Sequence, residues 1–316
     1  MRKFSTAAVG ALVVSLGVAL AGCGQIRALQ AKIAFKAANG LYQAQNYRGA
    51  KEKYEEALAL DPNLTDGYFF LANSADNLYN AARRGEPAND AFLTTAVTNY
   101  KKAADSATQP NIRKLALEYL VAAYNSPEKV NDPGQAEPLV LKMIEMDPKD
   151  TANYFALSKI YEDIGNYEQA EQMLVKAREM QPDDPNVYMQ IAGYYNRQGE
   201  FDKTIAALRE RAAKEPTNPE AFYTISTYYW DKAYRDFRLS DADKKKFVQS
   251  GVESVDKAIS LRQDYDEALV YKNLLLRLQA NLEKDAAKQQ ALLKEADKLR
   301  DRAQELRKQK AAGAGD

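Results

Sequence analysis

The sequence predicts an all-α protein, a solenoid of stacked helical pairs. Three observations point there. Pro148, Pro182 and Pro216 recur at a spacing of 34 residues, a period in the range that marks repeat arrays. Between these prolines the same residue types return in the same order. Tyr154, Leu157, Ser158, Tyr161, Gly165, Tyr167, Ala170 and Leu174 in one unit are answered by Tyr188, Ile191, Ala192, Tyr195, Gly199, Phe201, Thr204 and Leu208 in the next. The third observation is compositional: 46% apolar and 28% charged residues describe a folded chain. A single cysteine leaves packing rather than disulfides to hold it together.

The elements follow in order. Met1-Arg2-Lys3 is a short positive start, and Ala7 to Ala19 is an apolar run containing only Ser15 as a polar residue. This is the layout of a secretory signal peptide. The run is shorter than the roughly 20 residues that span a bilayer. Leu20-Ala21-Gly22-Cys23 closes it and resembles the bacterial lipobox, in which small side chains admit the backbone to a peptidase cleft and the thiol accepts a lipid. The resemblance implies a signal peptide over 1–22, lipidation (palmitate) at Cys23, and a lipid-anchored segment over 23–30. Gly24, a non-acidic residue after the lipid site, implies the periplasmic face of the outer membrane in preference to the inner membrane.

A repeat array is expected over 31–282, in units of about 31–64, 65–108, 111–150, 151–184, 185–218, 219–264 and a partial 265–282. Within 151–184, Tyr154, Leu157, Ser158 and Tyr161 share one helical face. Ser158 is small where a second helix must approach, Gly165-Asn166 makes the turn, and Pro182 stops the second helix. The second unit needs about 12 extra residues, assigned to a loop within Tyr79 to Phe92. The sixth needs about 13, assigned to a loop within Trp230 to Ser250, of which roughly Lys232 to Gln249 is expected at one rim, placed to close over a bound segment. A charged helix is expected over 283–310, with Leu292, Ala296, Leu299, Ala303 and Leu306 at alternating spacings of four and three residues. It reads as a polar end-cap or, more sharply, as a coiled-coil seam. The last six residues, 311–316, read as a disordered tail.

The 34-residue period and the residues named above resemble the tetratricopeptide repeat over most of the chain. That resemblance implies a right-handed superhelix of about six full repeats plus a partial one and a C-terminal capping helix. It also implies that the first helix of each repeat lines a concave surface where proteins bind. Carried residue by residue, the groove offers Asn39 and Tyr42 with Phe35 and Gln43, then Asn73 and Asn77 with Asp66, Phe69 and Asp76. The fourth repeat offers Phe155, Lys159 and Glu162 with Asp163; the fifth offers Asn196 and Arg197 with Met189. The sixth offers Tyr223, Thr227, Trp230 and Asp231. Amides hydrogen-bond an extended peptide and aromatic rings supply buried area. A carboxylate clamp of the chaperone type needs Lys four residues before Asn39, and Phe35 stands there.

Charge and residue usage exclude other classes. Lysine plus arginine and aspartate plus glutamate number 44 each, without the basic surplus of a nucleic-acid binder. Histidine is absent, which removes the commonest general base and metal ligand. The expectation is therefore a protein without catalytic residues, cofactor, metal or nucleic-acid partner. What is expected is a scaffold or adaptor of the bacterial envelope that binds proteins. The layout resembles tetratricopeptide lipoproteins of outer-membrane, pilus and secretion assembly. The alternative is an enzyme accessory or glycan-contacting envelope lipoprotein.

Overall fold

The computed structural model of the protein describes the backbone of residues 7–313 and the side chains of residues 25–312. The side chain of the expected lipid-attachment residue Cys23 and the last three residues of the expected tail therefore lie outside what it describes, as do residues 1–6. Among the described residues there are fourteen α-helices, one short 3-10 helix over Ala81–Arg83 and no strand. The protein is an all-α solenoid of helical pairs, and the chain divides into two compact units, 1–173 and 174–316.

The first unit holds α1 (Ala7–Gln43), α2 (Tyr47–Leu60), α3 (Gly67–Leu78), α4 (Pro87–Ser106), α5 (Pro110–Asn125), α6 (Pro133–Met146) and α7 (Thr151–Asp163), with the start of α8 (Tyr167–Met180). From α1 to α7, each helix packs on the next. Its largest fully buried side chains include Tyr54, Tyr100, Leu117, Leu120, Val140, Leu157 and Ile160. Helix boundaries follow local chemistry. Pro87, Pro110 and Pro133 each open a helix, where the missing N–H costs nothing. Asp150 caps α7 by accepting from the Ala152 N–H at 3.1 Å. The turn from α7 to α8 places Gly165 at φ 79°, and the Asn166 N–H returns to the Tyr161 carbonyl at 2.7 Å. Glycine suits that left-handed position. The corresponding turn after α1 sets Gln45 at φ 57°, with the Asn46 N–H on the Leu41 carbonyl at 2.9 Å. Here an ordinary side chain accepts a backbone conformation that disfavours it.

The second unit holds the rest of α8, then α9 (Pro185–Arg197), α10 (Phe201–Lys214), α11 (Pro219–Arg235), α12 (Asp241–Leu261), α13 (Asp266–Leu282) and α14 (Ala286–Gly313). Successive helices from α9 to α14 pack together, and the first helices α11 and α13 also touch. Asp184 and Asn218 cap α9 and α11, accepting N–H bonds from Asn186 at 2.9 Å and Glu220 at 3.0 Å.

Three expectations are corrected here. The loop expected within Trp230 to Ser250 is mostly helix: α11 runs on to Arg235, α12 starts at Asp241, and only 236–240 lie between. No glycine or proline interrupts 220–250, so the extra residues lengthen two helices instead of forming a lid. The unit expected to be partial at 265–282 is the first helix of a complete pair. α14 packs along α13, with Ala303 and Leu306 buried against Leu269 and half-buried Leu299 beside them. The spacing that suggested a coiled-coil seam is the face α14 turns to α13. α14 also continues to Gly313, so 311–313 of the expected disordered tail are helical. Asp266, at the start of α13, secures this docking. It accepts from Arg307 Nε at 2.8 Å and from Lys310 Nζ. Burial pushes its carboxyl up, but the hydrogen bonds from Lys310 and Arg307 outweigh that and hold it down at about 2.

Candidate functional site

The same first-helix positions have different fates in the two units. In the first unit they are drawn into the core. The Tyr54 hydroxyl donates to Asn39 Oδ1 at 2.7 Å, and the Tyr42 hydroxyl donates to Asn73 Oδ1 at 2.7 Å. Asn73 Nδ2 donates to the Tyr100 hydroxyl at 3.2 Å. Asn73 is only 5% exposed, so the groove role expected of it is corrected: both ends of its amide join α1 and α4 to α3. Burial raises the Tyr42, Tyr54 and Tyr100 hydroxyls above the usual tyrosine range, so they stay neutral, the first two donating and Tyr100 accepting. Asn77 is exposed, yet its Nδ2 donates to Asn73 Oδ1 at 3.0 Å and to the Asn73 carbonyl at 2.8 Å.

The network is closed from outside. Tyr119 stacks on Tyr100 with ring centres 5.2 Å apart. Asp76 pairs with Lys129 at 2.6 Å. Lys129 belongs to the segment between α5 and α6, and the extra residues after α3 are pinned to that segment. The Tyr79 hydroxyl donates to the Glu128 carbonyl at 2.9 Å and Arg84 Nη1 to the Pro127 carbonyl at 3.1 Å. On α7, Phe155 is half-buried, and exposed Lys159 is paired with Asp163 and approaches Glu162 at 3.9 Å within its own helix.

In the second unit the first-helix face is open. Asn196, Thr227, Tyr228, Trp230, Asp231, Arg235 and Tyr271 line a cavity of about 280 Å³. Three of those residues, Asn196, Tyr228 and Asp231, also line an adjoining cavity of about 140 Å³ with Gly199, Phe201 and Lys232. One face of α11 therefore borders both hollows, with α9 supplying Asn196 and α13 supplying Tyr271. Trp230 is held rather than loose. It stacks on Tyr234 at 4.9 Å and 11°, and meets Tyr271 edge-on at 5.7 Å. Asp231 pairs with Arg235 at 2.6 Å, one helical turn on. The Thr227 hydroxyl donates to the Thr224 carbonyl at 2.7 Å, so what it has left to offer a ligand is lone pairs. Lys232 sits over the Phe201 ring at 5.5 Å.

Of the sequence-derived set, Asn196, Thr227, Trp230 and Asp231 come together around this cavity. Tyr223 does not: it packs on Tyr265 at 5.1 Å and Tyr271 at 5.3 Å. Burial, reinforced by those two rings, pushes its hydroxyl up to about 12. Arg197 is exposed at the end of α9, and its guanidinium lies where a side chain at Gly193 would contact it at 3.4 Å. The residues missed were Tyr228, Arg235 and Tyr271. Arg235 follows Asp231 by four residues in an uninterrupted helical run, a spacing that pairs them only because α11 extends through 235. Tyr271 lies on α13, beyond the interruption of the 34-residue period, so the repeat pattern does not carry a groove position onto it.

Comparison with known proteins bears on the fold. Residues 129–192 match the family model described as tetratricopeptide repeat. Among solved structures, the C-terminal part of a TPR repeat-containing protein from Cytophaga hutchinsonii is 16% identical. The match covers 84% of this chain and 95% of that one with a TM-score of 0.57, which is a likeness of fold. A tetratricopeptide repeat protein from Parabacteroides merdae is 13% identical over 85% of this chain and 99% of its own, with a TM-score of 0.48. YrrB, described as a TPR protein with an unusual peptide-binding site, is 16% identical over 75% and 88% of the two chains, with a TM-score of 0.30. A search of curated proteins finds no match.

Proposed function

Because residues 129–192 match the tetratricopeptide-repeat model and the fold is that of a repeat solenoid, we propose that this chain is a lipid-anchored interaction scaffold of the bacterial envelope whose second unit grips a partner protein between α9, α11 and α13. The repeat fold itself supports protein binding. The observation that carries the finer reading is the cavity of about 280 Å³ in which aromatic faces (Trp230, Tyr228, Tyr271) meet amide, hydroxyl and carboxylate groups (Asn196, Thr227, Asp231). A cavity of that size accepts one or two side chains. The polar groups around it suit the backbone of an extended segment. The Trp230 ring is already fixed by Tyr234 and Tyr271, so little side-chain freedom is lost on binding.

The anchoring half of the proposal rests on sequence. An apolar run ends in Leu20-Ala21-Gly22-Cys23, and Cys23 is the only cysteine among 316 residues. Gly24 supports attachment to the outer membrane, facing the periplasm, and the outer-membrane, pilus and secretion assembly systems are the setting the layout suggests. Among the described residues no helix is long and apolar enough to cross a membrane.

The two halves are tested separately. Cys23→Ser should abolish incorporation of labelled fatty acid, and normal labelling of that variant would refute the anchor. For the groove, a photo-reactive residue at Thr227 should cross-link a partner in envelope preparations, whereas one at exposed Lys257 on α12 should not. The triple substitution Asn196→Ala, Trp230→Ala, Asp231→Ala should remove the Thr227 cross-link while circular dichroism stays helical. Persistence of the cross-link in the folded triple variant would place binding elsewhere.

A further inference from the structure

An exposed stripe of α1 carries a feature the groove does not use, with Ile33 at its edge bordering a hollow shared with Lys53, Glu56, Ala59 and Leu60 of α2. Toward α2, Ala31, Ala34 and Ala38 are buried. Along the stripe Ile26, Leu29 and Ile33 are 60%, 60% and 61% exposed. Their spacings of three and four residues put them on one stripe, within about 60° of each other at ~100° per residue. Three large aliphatic side chains in one exposed row are uncommon on a helix that has only water outside it. Lys32 and Lys36 are exposed beside the stripe, so α1 presents an apolar line edged by ammonium groups.

Charge in this region has one sign. No aspartate or glutamate occurs in the first 51 residues, and the first acidic residue is Glu52. Arg27 adds a further positive group and reaches the Ala59 carbonyl at 3.4 Å. On neighbouring α2, Glu55 and Glu56 are each paired, with Lys51 at 2.7 Å and Lys53 at 2.6 Å. A helix with an aliphatic face flanked by lysines suits the boundary between headgroups and acyl chains. The aliphatic side chains enter, while the lysine stems lie along them and carry their charge back to phosphate. Location supports the same occupant. Ile26 to Ile33 begins three residues after Cys23 and ends within about 15 Å of it, at 1.5 Å per residue.

We propose that this outward face of α1, Ile26, Leu29 and Ile33 with Lys32 and Lys36, lies in the headgroup layer of an anionic bilayer. The proposal rests on lipidation of Cys23 for bringing α1 to that surface. The consequence is orientation: α1 lies flat on the membrane, and the first unit is held against it instead of swinging on a tether.

The test uses the full chain in vesicles. Ile33→Trp in a Trp230→Phe background leaves one indole, at an exposed position that tolerates it. In vesicles of phosphatidylcholine and phosphatidylglycerol with brominated acyl chains, its emission should shift to the blue and be quenched several-fold. Adding Lys32→Glu and Lys36→Glu, or using phosphatidylcholine alone, should return most of the emission. High salt should act in the same direction. Water-like, unquenched emission from protein that carries the fatty-acid label would overturn the proposal and leave the anchor standing. A blue shift without bromine quenching would mean that protein, such as a second copy, covers α1, and would also overturn it. Quenching in a chain that fails to incorporate fatty acid would uphold the lipid contact and overturn the anchor.

Discussion

The first unit and the second treat the same repeat positions in opposite ways. Asn73 on α3 and Thr227 on α11 occupy equivalent places in their helices. Asn73 is buried and bonded to Tyr42 and Tyr100, while Thr227 borders an open cavity. The difference comes from what the extra residues of each unit do. After α3 they form a short segment pinned by Tyr79 and Arg84 to residues 127 and 128, next to the Asp76–Lys129 pair. After α11 they lengthen helices, so no loop crosses the face. A repeat position therefore assigns a side chain to a face. Whether that face is filled or open depends on neighbours outside the repeat pattern.

The comparison can be broken most forcefully through the cores. Leu157→Ala in the first unit and Leu208→Ala in the second each truncate a buried side chain, 1% and 0% exposed. Each should cost about 2–5 kcal/mol. In a solenoid the damage stays near its source, so hydrogen exchange should rise mainly in the unit that carries the substitution. A uniform rise along the whole chain from either variant would show that the two units do not behave separately.

A smaller change probes the faces themselves. Asn73→Ala should cost roughly 2–3 kcal/mol, because it leaves the Tyr42 and Tyr100 hydroxyls without a partner in the core. Asn196→Ala, on the exposed end of α9, should cost less than about 0.5 kcal/mol while weakening the Thr227 cross-link. Urea titration of both variants distinguishes a structural amide from a binding one. Equal destabilisation would erase the distinction between the units.

The fastening of α14 is the next weaker effect. Asp266→Asn should cost about 1.5–3 kcal/mol, the range for hydrogen bonds to a charged group, and should loosen α14 more than α11. The pH sign is definite. The folded-state pKa of about 2 lies below the ordinary value of 3.8. The stabilisation is thus complete above the ordinary value and disappears as pH falls through 2. Exchange protection of α14 should decline over that window in the native chain and change little over it in Asp266→Asn.

The smallest effect concerns the turn after α1. Gln45→Gly relieves a left-handed conformation at φ 57°. It should stabilise by about 0.5–1 kcal/mol once the looser unfolded chain is counted. Gly165→Ala, at φ 79° in the corresponding turn, should destabilise by about 1 kcal/mol. Thermal melts showing the same sign for both would mean that the two turns are not equivalent.

Legibility followed the range of each interaction. Prolines, Asx caps and turn glycines act over a few residues, and they mark helix ends where the units keep their period, as at Gly165 and Pro185. The groove was read by carrying positions from one repeat to another. That works where the repeats keep their period, as at Asn196 and Thr227. It overlooked Tyr271 and Arg235, where the period is interrupted. It also assigned Asn39, Tyr42 and Asn73 to a surface that their own hydroxyl and amide groups close.

By itself the sequence determined the all-α class, the 34-residue period, the pairing of helices and the apolar stripe that each helix buries, because these follow from helical spacing and local breakers. It also contains Leu20-Ala21-Gly22-Cys23, the short contiguous run on which the proposed lipid anchor rests. Tertiary structure alone decided that α14 completes a pair with α13, that Asp266 holds it, that one first-helix face is closed by Tyr42, Asn73 and Tyr100, and that the other is left open around Trp230. Each of those outcomes depends on contacts between residues some 27 to 44 positions apart. Local periodicity constrains direction at that distance, but partner, fit and vacancy are settled only when the neighbouring helix is in place.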